Sequence, residues 1–212
     1  MMNKTITTLT AALVLFAANP ISLAQDFSLK GGSAVELNIG MWAGAKSSTT
    51  VAVGGIRSEA KVSGLTASLL YTHWLREHLA LTLSAGFLGG EASSTSGTPG
   101  FTQQSSAIVP FLLGIRYYVP EPGPDDAIRP FLSAAIGTYV GMEAKNTVLV
   151  QEARSEAVLG GRVGGGIDFL LSNHFKLGAN VGYNLASDFS TPIGARNNSS
   201  GADFSIGFGY IF

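Results

Sequence analysis

The stretch "RVGGGIDFLLSNHFKLGANVGYNL", residues 162–185, carries the clearest structural signal in the chain. Apolar residues occupy every second position from Phe175 to Leu185, and polar or small residues lie between them. The preceding segment, up to Leu171, shows the same alternation. Successive side chains of a strand point to opposite faces, so a period of two predicts strands and not helices. Ser172 and Asn173 supply the turn, and the stretch therefore predicts a β-hairpin.

The same alternation recurs along the rest of the chain and predicts six further strands. They are expected at residues 34–45, 63–75, 79–90, 109–117, 132–140 and 204–212. The connections alternate between short and long. Tight connections are expected at 76–78 and 172–173 and a Pro-rich one of intermediate length at 120–130. Long ones, rich in Ser, Thr, Gly and Asn, are expected at 46–61, 91–105, 142–157 and 187–201. This order predicts an all-β, eight-stranded antiparallel up-and-down transmembrane β-barrel with short periplasmic turns and four long outer loops.

Composition agrees with a membrane location and excludes several functions. Charged residues make up 13% of the 212 residues, below the roughly 25% that is usual in soluble domains. A net charge of −1 without any run of like charge argues against nucleic-acid binding. The chain has no cysteine, so disulfides, thiolate metal sites and thiol catalysis are excluded.

The first 24 residues have the organisation of a secretory signal peptide. Lys4 precedes a short apolar run over residues 6–18, and Ser22 and Ala24 provide the small residues that a signal peptidase requires. We expect cleavage between Ala24 and Gln25, which leaves residues 25–212 as one barrel domain. The alternative is an N-terminal membrane anchor, but the apolar run is too short to span a bilayer core of about 30 Å.

Eight alternating strands are also compatible with a soluble, lipocalin-like barrel that encloses a ligand. The less apolar face argues for the membrane, because it consists mostly of Gly, Ser, Thr, Ala and Asn with roughly one charge per strand, whereas a water-exposed sheet carries many more charges. Small residues suit the crowded interior of an eight-stranded barrel. Tyr71, Tyr117 and Tyr210 are expected near the periplasmic rim, and the first and last strands must pair to leave no open edge.

Three acids and three bases are expected on the interior face. They are Glu36, Asp168 and Asp203 against Arg116, Arg162 and Lys176. Because unpaired buried charges are costly, we expect an internal ion-pair network that fills and rigidifies the barrel. The functional alternative is that the same charges line a narrow conduction path.

Other motifs do not indicate a site for catalysis, a metal or a cofactor. His73, His78 and His174 all lie beside short connections and lack the spacing of metal ligands. The "GGRVGGG" stretch, residues 160–166, lacks the Lys-Ser/Thr ending of a phosphate loop. Trp42 falls on the polar face, which predicts a bulge or a rim position.

Several segments resemble a known family. The signal peptide, "IVPFLLGIRYYVP" (residues 108–120), "RPFLSAAIGTYVG" (residues 129–141) and the terminal "FGYIF" are similar to the small outer-membrane β-barrel superfamily that includes OmpA-, OmpX- and opacity-type surface proteins. The resemblance implies a Gram-negative outer membrane, contact with its lipid and lipopolysaccharide, and roles in envelope integrity, adhesion or host interaction. It also implies that the barrel assembly machinery reads Phe208, Tyr210 and Phe212 as an assembly signal.

The leading hypothesis is a non-enzymatic surface barrel whose outer loops bind a host or surface ligand. The charges of the predicted loops are mixed in sign and form no patch of one sign, so they do not indicate a particular partner. A narrow pore is one alternative. An outer-leaflet lipid A-modifying enzyme is the other alternative. Lipid A deacylases share the barrel architecture, but they need a His-Ser pair on a late strand. The late histidine of this chain, His174, is predicted in a turn.

Overall fold

A computed structural model describes residues 29–44, 63–97, 100–120, 127–146, 151–193 and 197–212. The predicted signal peptide with its cleavage site at Ala24 and Gln25, and the predicted loop at 46–61, lie outside the described residues. Eight strands follow one another in the chain. They are β1 Ser33–Gly44, β2 Ser63–Arg76, β3 Leu79–Gly97, β4 Gly100–Tyr118, β5 Ile128–Asn146, β6 Gln151–Leu170, β7 Phe175–Ala186 and β8 Gly201–Ile211.

Each strand pairs antiparallel with the next, and the sheet closes into a barrel. The predicted eight-stranded up-and-down barrel is therefore confirmed. Within the described residues, no helix is long and apolar enough to cross a membrane.

The first and last strands form the closing seam of the barrel. Their register runs from Ala34 opposite Ile211 to Gly44 opposite Gly201. At the end of the barrel that carries the short turns, the Ser33 and Phe212 backbones exchange two hydrogen bonds of 2.9 and 2.8 Å. Closure satisfies the backbone groups that an open sheet would leave unpaired in hydrocarbon.

Side-chain alternation divides each strand into an outer and an inner face. Along β8, buried and exposed residues alternate without interruption. Bulky apolar side chains face outward, and Ile136 and Leu159 are 74% and 73% exposed. Tyr71, Tyr117 and Tyr210 are also outward-facing, near the end of the barrel that carries the short turns. The outer surface thus has the apolar band and aromatic rim of a membrane barrel.

Two outer connections differ from the sequence prediction, because residues 91–105 and 142–157 belong mainly to strands and not to loops. The β3–β4 ladder continues to the pair Gly97–Gly100, and the β5–β6 ladder to the pair Asn146–Gln151. In β6 three consecutive residues of this part, Ala153, Arg154 and Ser155, are exposed, so the alternation of buried and exposed side chains disappears while the backbone hydrogen bonds persist. We call the parts of β3 to β6 that extend beyond the β2–β3 and β6–β7 ladders the projecting sheet.

Of the two positions predicted for Trp42, the register excludes the bulge, whereas the rim position agrees with its place two residues before the end of β1. Trp42 lies in unbroken register between Gly64 of β2 and Asp203 of β8, and its side chain points into the barrel. The two glycines nearest to its ring, Gly44 and Gly201, leave room for the indole, which explains a large aromatic among small residues.

Candidate functional site

The interior of the barrel is organised in layers, and the lowest layer is apolar. It closes the end that carries the short turns. Its members are the buried residues Leu29, Ala34, Trp74, Ala80, Tyr118, Phe131, Leu170 and Ile211. The rings of Tyr118 and Phe131 meet edge to face with centroids 5.8 Å apart. A water-filled path therefore does not continue through this end of the described lumen.

Directly above this layer lies a cluster of four charges, Glu36, Arg116, Asp168 and Lys176, all of them buried. The Lys176 ammonium forms ion pairs with Glu36 and, at 2.9 Å, with Asp168. Arg116 lies 3.1 Å from Asp168 and 3.7 Å from Glu36. Two positive and two negative groups thus face one another, which offsets the cost of removing them from water.

Neutral groups complete the cluster. The Tyr118 hydroxyl donates a hydrogen bond of 2.9 Å to Asp168, and the Arg116 guanidinium lies 3.8 Å above the centre of the Phe131 ring. Arg116 also donates to Asn180, which in turn donates to Asn38 at 3.0 Å. These contacts tie five strands together across the lumen.

Close packing requires glycine beside this cluster. A Cβ at Gly207 of β8 would collide with the Glu36 carboxylate and with Asn38 Oδ1. The absence of a side chain at Gly207 therefore leaves the space that the Glu36 side chain occupies.

The other two predicted interior charges form a separate pair nearer the middle of the barrel. Arg162 donates from Nε and Nη2 to the two carboxylate oxygens of Asp203, at 3.0 and 2.6 Å. Asn184 donates to the same carboxylate at 2.8 Å, and the Tyr139 hydroxyl contacts Asn184 Oδ1 at 2.9 Å. The structure therefore groups the six residues of the hypothesised network as four and two.

Between the two charged groups lies a polar chamber of about 90 Å³. A polar space of this size is large enough to hold water. Arg116 and Arg162 border it on one side, and hydroxyl groups of Thr66, Thr82 and Ser84 on the other. The chamber also contacts two apolar residues of the layer above it, Leu88 and Leu112.

A second apolar layer closes the outer mouth. Its members are Trp42, Leu88, Ile108, Leu112, Tyr139, Val158, Phe189 and Ile193. Six of these belong to the barrel wall, whereas Phe189 and Ile193 come from the segment that follows β7. This segment, residues 187–193, folds inward over the mouth, and we call it the mouth segment.

Glu156 of β6, on the same face of the strand as Val158, holds the mouth segment by hydrogen bonds. Its Oε1 accepts hydrogen bonds from the Ser190 backbone N–H at 2.6 Å and the Ser190 hydroxyl at 2.7 Å, and its Oε2 accepts one from the Thr191 N–H at 3.4 Å. Glu156 lies beyond Leu159, the last bulky outward residue of the β6 apolar band. The hydrogen bonds from Ser190 hold the pKa of the Glu156 carboxyl below its ordinary value.

The sequence analysis missed two buried charges and two buried hydroxyls. Arg129 and Glu143 are each 8% exposed and lie on the inward face of β5, and Glu143 had been expected in an outer loop. Tyr118 and Tyr139 place their hydroxyl groups in the polar interior. Extending the β5 alternation from Phe131 in both directions would have placed these charges inside, because odd positions of that strand face inward.

The described residues do not assemble a catalytic or metal constellation. No group of three His, Asp or Glu side chains within the described ranges could hold a metal ion. His73 contacts Ser33 at 3.0 Å, and His174 stacks on Tyr210, so both lie at the short-turn end and away from the chamber.

These features define a class of protein. A closed eight-stranded barrel with an apolar outer band, aromatic residues at one rim and a polar, largely filled interior is an outer-membrane β-barrel. The chain belongs to the outer membrane protein β-barrel domain family, whose model matches residues 8–212. This confirms the resemblance seen in the sequence and the outer-membrane location.

Three solved structures are similar to this chain at low sequence identity, and the first of them supports the same fold. The attachment invasion locus protein Ail of Yersinia pestis, solved with the heparin analogue sucrose octasulfate, is 11% identical, with 86% of this chain and 99% of that chain covered and a TM-score of 0.54. OprG of Pseudomonas aeruginosa is 16% identical, with coverages of 86% and 96% and a TM-score of 0.49. Neisserial surface protein A is 11% identical, with coverages of 86% and 98% and a TM-score of 0.49. No curated protein sequence matches the chain.

Proposed function

We propose that this protein is a non-enzymatic surface-recognition barrel, which uses the projecting sheet to bind an extended segment of a partner protein. The observation that carries the proposal is the strand register. The ladder between β6 and β7 ends at the pair Gly160–Ala186, whereas β6 remains paired with β5 as far as Gln151. Nine residues of β6 thus extend past their neighbour on one side.

The direction of the backbone groups shows which atoms are offered at this edge. Leu170 donates its N–H towards the β5 side, to Ala127, whereas Leu159 accepts from Ser187 on the β7 side. Odd residues of β6 therefore direct N–H and C=O towards β7, and beyond Leu159 these groups meet no backbone partner among the described residues.

The side chains at this edge are small. Ala153, Ser155 and Ala157 are exposed, and they leave the backbone accessible. Unpaired strand edges bind extended peptides by strand addition, with main-chain hydrogen bonds that supply affinity for many sequences. The same edge suits a host or surface protein better than a small substrate.

The closed interior supports a structural role for the lumen. Apolar layers lie at both ends, and between them the charges are paired with one another. We propose that the ion pairs of Glu36, Arg116, Asp168 and Lys176, and of Arg162 with Asp203, rigidify the barrel that carries the projecting sheet. This arrangement favours a plugged barrel over the alternative of a narrow pore.

Two further parts of the proposal rest on the family resemblance. Outer-membrane lipid and lipopolysaccharide are the surroundings of the outward apolar band. The barrel assembly machinery is the proposed reader of Phe208, Tyr210 and Phe212, which all point outward on the closing strand. The signal peptide is proposed to be removed between Ala24 and Gln25. The lipid A-modifying alternative requires a His-Ser pair on a late strand, whereas His174 lies in the connection between β6 and β7.

The edge is tested with one proline. Ser155→Pro removes an N–H that points away from β5, so the β5–β6 ladder stays intact while the edge loses a donor. Ser155→Ala is the matched control. Bacteria that display each variant would be compared for adhesion to immobilised host-surface proteins. We expect loss of adhesion with the proline and none with the alanine.

A replacement of residues 91–105 and 142–157 by short turns removes most of the projecting sheet, including Ala153, Ser155 and Ala157 of the β6 edge. Adhesion that survives this shortening in a correctly inserted barrel would contradict the proposal. Adhesion to immobilised heparin provides a separate comparison, because a polyanion would be recognised through side-chain charges. Heparin binding that is insensitive to Ser155→Pro, without any protein binding, would also contradict strand addition.

A further inference from the structure

We propose that the outer mouth of the barrel is a binding site for small aromatic molecules that carry a hydrogen-bonding group, and that the mouth segment occupies it when no such molecule is bound. This site lies on the lumen side of the projecting sheet. It does not depend on the proposed binding of a partner protein at the β6 edge.

The wall of the site is an apolar cup formed by the barrel itself. Six buried side chains from five strands contribute to it. They are Trp42, Leu88, Ile108, Leu112, Tyr139 and Val158. A concave surface with apolar and aromatic walls and a few placed polar groups is the usual form of a small-molecule site.

Two side chains of the mouth segment fill this cup. Phe189 is 4% exposed and Ile193 is 1% exposed, although neighbouring residues of the segment, such as Asp188 and Ser190, are in water. Both side chains reach Gly141 of β5, where an added Cβ would lie 2.7 Å from Ile193 and 3.0 Å from Phe189. The cup therefore already accommodates one aromatic ring and one branched aliphatic group.

Beneath the cup the polar chamber supplies hydrogen-bonding partners. Leu88 and Leu112 belong both to the cup and to the lining of the chamber, so the two spaces adjoin. Hydroxyl groups of Thr66 and Ser84 line the chamber below them. A ligand whose ring replaces Phe189 would thus direct a polar substituent towards the chamber, which is why we assign it a hydrogen-bonding group.

The attachment of the mouth segment is suited to release. Its outer side is held by the Glu156 carboxylate, which receives hydrogen bonds from Ser190 and Thr191 at the water-exposed rim. The end of β7 is held by Asn198, which donates to the Ala186 carbonyl at 2.9 Å and to Asp188 at 2.7 Å. Backbone hydrogen bonds from Ser187 to Leu159 and from Phe189 to Asn197, at 2.9 and 2.7 Å, hold its first half. Loss of the Glu156 contacts would therefore loosen residues 190 and 191 without altering any side chain of the cup wall.

The chain offers a direct spectroscopic test, because its two tryptophans both point into the lumen and only Trp42 lines the cup. In a Trp74→Phe background, Trp42 is the sole indole, and para-nitrobenzyl alcohol serves as an aromatic quencher with a hydroxyl group. The protein is titrated in phosphatidylcholine liposomes. We expect saturable quenching of Trp42 fluorescence.

Release of the mouth segment should strengthen binding. Adding Glu156→Ala should lower the apparent dissociation constant roughly 3- to 10-fold, because a larger fraction of molecules would have an empty cup. Arg154→Ala is the matched control. It removes a 3.6 Å ion pair with Glu156 but leaves the Ser190 and Thr191 hydrogen bonds in place, so its dissociation constant should stay near that of the background.

A disulfide lock provides the opposite change in a chain without native cysteines. Gly141→Cys with Ile193→Cys places two thiols at the point of contact between β5 and the mouth segment. Oxidation should abolish saturable quenching, and reduction of the same sample should restore it. Quenching that is linear with concentration in every variant, or equal dissociation constants for Glu156→Ala and Arg154→Ala, would overturn the proposal.

Discussion

The Lys176 ammonium lies 2.9 Å from Asp168 Oδ2 across the short connection between β6 and β7, and neither side chain reaches water. Replacing Lys176 by Met would leave Glu36 and Asp168 with Arg116 as their remaining cation in the cluster. We expect the free energy of unfolding to fall by about 3–5 kcal/mol, the usual cost of an uncompensated buried charge. Urea-induced unfolding in liposomes, followed by tryptophan fluorescence, measures this change.

Two comparisons make the measurement specific for charge balance. Combining Lys176→Met with Glu36→Gln removes one charge of each sign and should recover part of the lost stability. Arg154→Ala breaks an exposed pair at the rim and should change stability by less than about 1 kcal/mol. Equal losses in the single and the double interior variants would show that packing, and not charge, dominates the cluster.

Conductance distinguishes a plugged barrel from a pore. With an apolar layer at each end of the lumen, the purified protein should give no reproducible current steps in a planar bilayer. Trp74→Ala should also give none, because Trp42 and Tyr139 still close the outer end. Stable steps in the unmodified protein would instead support the narrow pore.

Acid should loosen the mouth segment. The pKa of Glu156 is lowered by its hydrogen bonds from Ser190, so the stabilisation is complete above its ordinary value of about 4.5 and is lost as the pH falls through the lower folded-state value. In the Trp74→Phe background, acrylamide should quench Trp42 more strongly at about pH 3.5 than at about pH 7.

Glu156→Ala supplies the control for this pH effect. The variant lacks the titrating group, so quenching should already be strong at neutral pH and should change little on acidification. Glu143, which lies opposite Arg154 in the β5–β6 ladder, Arg154 itself and Asp188 are other charged groups near these hydrogen bonds. If quenching of Trp42 responds equally to pH with and without Glu156, another titrating group causes the response and the prediction is wrong.

Deletion of the terminal aromatic residue tests the proposed assembly signal. Deletion of Phe212 should reduce the amount of heat-modifiable barrel in the outer membrane, because the side chain offered to the assembly machinery is lost. Phe204→Ala removes an outward aromatic from the same strand and should have a smaller effect. Normal assembly of the deletion would limit the role of β8 to closure of the barrel.

Most of the barrel wall could be predicted from local patterns. The alternation in residues 175–185 reports a strand whose two faces contact lipid and a crowded lumen, and this information is present in neighbouring residues. The same alternation identified six interior charges. It failed for the projecting sheet, because the outer parts of these strands are rich in polar and small residues and have no apolar period. Glu143 was misplaced because the inward alternation of β5 was not followed beyond residue 140.

Sequence by itself determined the strand order, the inward and outward faces and the location in an outer membrane, since each depends on residues close together in the chain. Tertiary structure alone decided which inward groups meet. Arg116 reaches Asp168, 52 residues away, and Asn180 reaches Asn38, 142 residues away, because the register of eight ladders sets the height of every side chain in the lumen. The same long-range geometry carries Phe189 and Ile193 into the mouth, where burial of apolar surface overrides the preference of a polar loop for water.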